Sequence, residues 1–205
     1  MAGIYQTTTA SSSFLLQSDG FFAGTLYGKD FDRYEIEGGV VISSATTPIW
    51  GGQPLTNTVA TPTARGSSGE GEILTLAATS GANIQSWCVF DQASAGVITP
   101  FSNVPLYYAN QSANFVRVGS GAMIVLPINP TAVATLAGGL ANVAIFWDFT
   151  NNRVDTSGTG QLLTATGQPY QIIALNQNSK TVTYAAGPPI TANWAYGNSI
   201  IVVRI

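Results

Sequence analysis

The chain has 205 residues, seven Lys and Arg against ten Asp and Glu, no histidine, one cysteine and 8% charged residues. Soluble domains usually carry about 25% charge, so this surface must be built mainly from Thr, Ser, Asn, Gln, Gly and Ala. A net charge of −3 gives phosphate backbones nothing to grip, which excludes nucleic acid as an expected partner, and the missing imidazole removes the commonest general base and transition-metal ligand.

The opening MAGIYQTTTASSS has neither the basic region nor the apolar stretch of a secretory signal, so export by that route is not expected. Residues 1–33 mix Thr and Ser with Tyr5, Phe14, Phe21, Phe22, Tyr27 and Phe31 and hold neither period 2 nor period 3.6. They predict an extended N-terminal arm. Rings that an arm cannot bury by itself are laid on its own body or on another subunit, and the sequence leaves both open.

The segment 28–38, GKDFDRYEIEG, concentrates charge. Asp30 and Asp32, or Glu35 and Glu37, stand two apart and on a strand would share a face, as a cation site or a glycosidase carboxylate pair requires. A calcium loop needs glycine at its sixth position, and counting from Asp30 that place is Glu35, so the pattern breaks. Lys29 and Arg33 interleave with the acids, which suits a docking surface that sets register through ion pairs. The expected protein-interface residues are therefore Phe21, Phe22, Tyr27, Asp30, Asp32, Arg33, Glu35, Glu37 and Trp50. No catalytic, cofactor or metal residue is assigned.

Residues 34–43 alternate and then become β-branched, predicting a strand with a glycine bulge at Gly38 and Gly39. Turns follow at 47–54, and 55–71 reads as a Thr/Pro/Gly-rich linker or loop. Strand signals then recur at 72–78, 83–91, 95–100, 104–109, 113–118, 121–128, 142–149, 153–156, 169–175, 181–185 and 198–204. Within 143–154, Asn151 and Asn152 suit a two-residue primed turn. At 129–139, Asn129 can cap a short helix, Pro130 suits its first position and Gly138 can close it.

The organisation that results is an arm (1–33), a strand plus loop (34–71) and a β-sandwich body (72–205). The fold class is all-β, a sandwich or jelly-roll-like barrel with at most one short helix.

Cys88 lies in the apolar run SWCVF and reads as a buried small hydrophobe, with no intrachain disulfide possible. Trp50, Trp87, Trp147 and Trp194 sit beside apolar or turn residues and read as core or interface packing rather than a sugar platform. The hydrolase elbow, phosphate loop and Cys-x-x-Cys motifs are missing. No apolar run approaches the ~20 residues of a spanning helix, so no membrane association is expected.

Four phrases, residues 40–52 (VVISSATTPIWGG), 87–92 (WCVFDQ), 117–127 (RVGSGAMIVLP) and 146–154 (FWDFTNNRV), resemble the capsid cement, or decoration, proteins of tailed bacteriophages. The resemblance covers most of 34–205. It implies a β-sandwich or jelly-roll-like protein on the outer surface of the head, assembled in the host cytoplasm, that clamps neighbouring major capsid subunits and other copies of itself, with no enzymatic site and no cofactor. Two other classes stand beside it. One is a carbohydrate- or receptor-binding head-fibre or tail appendage, and the other is a carboxylate-based glycosidase.

Overall fold

The computed structural model describes residues 22–27, 36–59, 72–77, 84–90, 104–141, 143–157, 160–163, 170–186 and 191–205. In chain order these form β1 (Glu37–Val41), β2 (Pro54–Val59), β3 (Glu72–Leu76), β4 (Ser86–Cys88), β5 (Ser112–Arg117), β6 (Met123–Pro127), α1 (Pro130–Leu136), β7 (Phe146–Asp148), β8 (Arg153–Asp155), β9 (Gln161–Leu162), β10 (Gln171–Ala185) and β11 (Thr191–Arg204). The expected all-β class holds, with one short helix.

The first five strands close a barrel in the order β1-β3-β2-β4-β5. β1 runs parallel to β3, and its other edge meets β5 antiparallel. Alternate residues point inward. Val41, Leu55, Leu74, Cys88, Ala113 and Phe115 therefore fill the lumen together with Ile49 and Tyr107, all at most 1% exposed.

The lumen is narrow. A Cβ on Gly39 would stand 2.8 Å from Leu74 Cγ and 2.9 Å from the Glu72 carbonyl oxygen, so glycine is required there for close approach. The expected bulge at Gly38 and Gly39 is corrected accordingly: both residues sit in unbroken register, opposite Asn114 and Ala113.

A second sheet, β10-β11-β6, packs on the outside of the barrel. The main core lies between them. Trp87 and Val116, the outward residues of β4 and β5, meet Ile124, Leu126, Ile201 and Val203 of the second sheet, while Ala132, Val133 and Leu136 of α1 and Trp147 and Val154 of the small β8-β7-β9 sheet close the periphery. Asn129 caps α1 by accepting from the Thr131 N–H, and Gly138 beyond the helix end has φ +76°, both as the sequence predicts.

Part of the expected arm is core. Phe22 bridges to Lys180 of β10 and Leu26 to Ile124 of β6. Between them the Gly24 N–H donates to the Val125 carbonyl at 2.7 Å, and the Gly24 carbonyl accepts from Phe90 N–H at 2.8 Å. The segment 22–27 thus fastens the second sheet to the chain leaving β4. Gly24 has φ +85°, and a Cβ there would come within 2.4 Å of the Gly51 backbone; no other residue fits.

Other expectations change. Residues 55–59 belong to β2 rather than to a linker, so the strand-plus-loop piece supplies two barrel strands, and a division at 71/72 would cut through one closed sheet. From Gln171 on, the expected strands at 169–175 and 181–185 are parts of the single strand β10, which carries register shifts near Ile172, Asn176 and Ser179; residue 169 lies outside the described residues. Residues 104–109 contribute an isolated bridge, Ile49 to Tyr107. The β7–β8 hairpin pairs Asp148 with Arg153, so its loop has four residues rather than two, with Asn152 at φ +50°. The predicted strand at 95–100 lies outside the described residues.

Candidate functional site

One mouth of the barrel carries a polar residue from every strand. Glu37 on β1, Asn57 on β2, Glu72 on β3, Ser86 on β4 and Arg117 on β5 each stand two positions from a lumen residue, namely Gly39, Leu55, Leu74, Cys88 and Phe115, and so share the inward face.

Arg117 is the hub. Its Nε donates to Glu37 Oε1 at 2.5 Å, and its Nη2 donates to Glu37 Oε2 at 2.8 Å and to Glu72 Oε1 at 2.5 Å. The other Glu72 oxygen accepts from Asn57 Nδ2 at 2.6 Å, and the Ser86 hydroxyl donates to Asn57 Oδ1. The Arg117 guanidinium lies 5.5 Å from the centroid of the Phe115 ring beneath it. The ring is thus a hydrogen-bonded lid on the lumen.

The electrostatics follow from the geometry. Hydrogen bonding from Arg117, opposed by burial and helped by Asn57, holds the Glu72 carboxyl below its ordinary range. The bonds to Glu37 and Glu72 push the Arg117 pKa up. Both carboxylates at the barrel mouth are thus hydrogen-bonded to one guanidinium.

A second feature is a cleft of about 490 Å³ where the three sheets meet. The loop at 50–53, the β7–β8 turn and the β10–β11 ribbon enclose it, and Trp50, Gln53, Asn152, Arg153, Tyr184 and Asn198 contribute to its walls. Gln53 is 2% exposed, and its Oε1 has no hydrogen-bond partner; Arg153 Nε is likewise buried and unpartnered. Beside the cleft, Asp148 is engaged by its own turn, accepting from Thr150 N–H at 2.9 Å and from Asn151 Nδ2 at 2.6 Å. Burial acts to raise its pKa, but these bonds and the Arg153 charge outweigh it, and the net shift is downward.

The expected interface residues are distributed unequally. Phe22 is fully buried, stacked on Phe90 at 5.4 Å, edge-on to Trp194 at 4.9 Å and beneath the Lys180 ammonium at 4.9 Å. Trp50, 8% exposed, packs on Tyr184 at 5.6 Å. Both are corrected from free anchors to core residues, because the chain's own sheets cover their rings. Glu37 belongs to the barrel lid. Tyr27 is half-buried against the outer face of the second sheet, on Val125, Ile200 and Val202. Phe21, Asp30, Asp32, Arg33 and Glu35 lie outside the described residues, so the alternative carboxylate pairs built on them do too. Among the described residues no group of three or more His, Cys, Asp or Glu is placed to hold a metal, and no helix is long and apolar enough to cross a membrane.

The sequence reading missed Arg117, Glu72, Asn57, Ser86, Gln53 and Arg153. A signal for the lid existed, since each of its members stands two residues from a lumen position, but it becomes visible only once the strand order is known. Comparison with known proteins returned no matching family model, no matching curated protein and no matching solved structure.

Proposed function

We propose that the chain is a non-enzymatic virion structural protein that binds the outside of a tailed-phage head and stabilises contacts between major capsid subunits and between its own copies. The resemblance of the four phrases brings the reading in. The observation that carries it is the neutral outer face of the longest element, the β10–β11 ribbon.

The exposed positions of that ribbon include Gln177, Thr183, Ala185, Asn193 and Gly197; of its two ionisable basic residues Lys180 is fully buried, and Arg204 stands at the far end of β11. Neutral amides and hydroxyls are desolvated in a lattice contact at far lower cost than Lys and Glu. A protein that binds the expanded shell in preference to its precursor stabilises that state by mass action, and many copies add their contributions. Charged groups at the barrel mouth are spent on one another, which supports a scaffold rather than a reaction centre.

The arm can be tested separately from the body. Deleting residues 1–19 leaves the Phe22 anchor in place. On this reading the truncated protein folds and occupies expanded heads less fully than the parent, and equal occupancy would remove the arm from the mechanism. The head-fibre alternative gains a specific observation from the cleft beside the ribbon.

A further inference from the structure

We propose that the cleft at the junction of the three sheets is a binding site for an acidic saccharide, with Arg153 receiving the carboxylate and Gln53 a sugar hydroxyl. The inference does not rest on capsid binding, because it concerns the isolated chain and its own cleft.

Four observations carry it. Gln53 is 2% exposed, sits in the cleft wall and has an unpartnered Oε1. An unmade bond at a buried acceptor is costly, and the terminal torsion of a Gln side chain is soft, so the amide turns readily toward a hydroxyl donor in the cleft. Among the described residues that line the cleft, Arg153 is the one Asp, Glu, Lys or Arg, and its Nε has no hydrogen-bond partner. Both oxygens of the neighbouring Asp148 accept bonds from Thr150 and Asn151, which leaves the guanidinium fork available to a ligand carboxylate.

The remaining walls mix the amide of Asn152 and the hydroxyls of Thr181 and Thr183 with the apolar faces of Trp50, Ile128 and Val182, so the cleft can meet both the hydroxyls and the C–H face of a sugar ring. The wall amides and hydroxyls both donate and accept, which matches a polyol, whose every hydroxyl does the same. The volume, about 490 Å³, falls within the roughly 300–1,000 Å³ typical of small-ligand pockets.

An extended acidic peptide is disfavoured by the strand beside the cleft. Pairing with β10 would need a regular free edge, but β10 changes register between Asn176 and Ser179 and again between Ser179 and Thr181, and the Lys180 carbonyl already accepts from Ala23 N–H at 3.1 Å.

The test is titration of the full chain with cellobiouronic acid, its neutral counterpart cellobiose and a short Glu-rich peptide, followed by calorimetry and by amide-resonance shifts. Saturable binding of the uronate near about 1 mM, with cellobiose about tenfold weaker, is expected. Shifts should centre on Gln53, Asn152 and Arg153. Arg153→Gln should abolish the preference for the uronate, and Gln53→Leu should weaken both sugars. No saturation up to about 10 mM uronate, equal affinity for cellobiose, selective binding of the peptide, or shifts confined to residues far from the cleft would each overturn the assignment. The shift map is read on the parent protein, so it decides the matter even if a variant fails to fold.

Discussion

Trp87 Nε1 donates to the Tyr170 hydroxyl at 2.7 Å, with both residues buried. This bond joins β4 of the barrel to the residue that leads into β10, across the main core. Trp87 also stands edge-on to Trp147 at 4.9 Å, so one indole ties the barrel to both other sheets. Tyr170→Phe removes the acceptor while preserving the shape, stranding a buried N–H. A loss of about 1–3 kcal/mol is expected, or roughly 2–4 °C in Tm per kcal/mol for a chain of this size, measured by thermal denaturation. An unchanged Tm would mean that the indole finds another acceptor.

The same burial sets the alkaline limit. Desolvation raises the pKa of the Cys88 thiol, and desolvation also raises that of Tyr170, opposed by the bond from Trp87. Both groups bind protons more tightly folded than unfolded. Their contribution is complete below the unfolded pKa values and is lost as pH rises through the folded ones. Urea midpoints should therefore hold steady near neutrality and fall above about pH 9, where exposed thiols and then phenols begin to ionise. Cys88 should react with a thiol reagent only on unfolding, and rapid labelling of the native protein would contradict its place in the lumen.

At the barrel mouth the acid limb is expected to be shallow. The Glu72 carboxyl is held low, chiefly by Arg117, so its contribution is present above the unfolded pKa and disappears as pH falls through the folded one. The side chains of Arg117, Glu37 and Glu72 are 42%, 29% and 24% exposed, and solvent screening limits the network to about 1 kcal/mol. Arg117→Gln should cost about that much at pH 7 and much less at pH 3, measured by urea unfolding at both values. An equal loss at the two pH values would assign Arg117 a packing role alone.

Phe22 lies within the stretch expected as an arm, yet it is fully buried and ringed by Phe90, Trp194 and Lys180. Phe22→Ala should destabilise the fold by about 3–5 kcal/mol. Gly24→Ala should loosen the same segment through its positive φ and its collision with Gly51. Hydrogen exchange at Tyr27, whose N–H donates to the Met123 carbonyl at 2.8 Å, should accelerate in both variants. If it does not, the anchoring role assigned to this segment fails.

What the sequence disclosed was local. Short apolar and β-branched runs set off by turn residues marked most strands, Asn129 and Pro130 marked the helix start, and the surroundings of Cys88 marked core, while those of the four tryptophans marked core or interface packing. What it concealed depends on long-range pairing. Residues 55–59, Leu-Thr-Asn-Thr-Val, look like polar linker until Leu55 is seen to face the lumen and Asn57 the lid. Arg117, Glu37 and Glu72 are separated by up to 80 residues, and nothing in a linear reading unites them. Trp50 and Phe22 carried no local mark that distinguishes a ring laid on its own chain from one offered to a neighbour.

The central claim, that the chain binds and steadies a phage shell, is tested most directly by mixing the purified protein with empty heads in the expanded and unexpanded states and imaging both by electron cryomicroscopy. The account predicts ordered density on the outer surface of the expanded heads, weaker or missing density on the precursor, and a higher temperature of head disruption when the protein is bound. Bare expanded heads at saturating protein would contradict it.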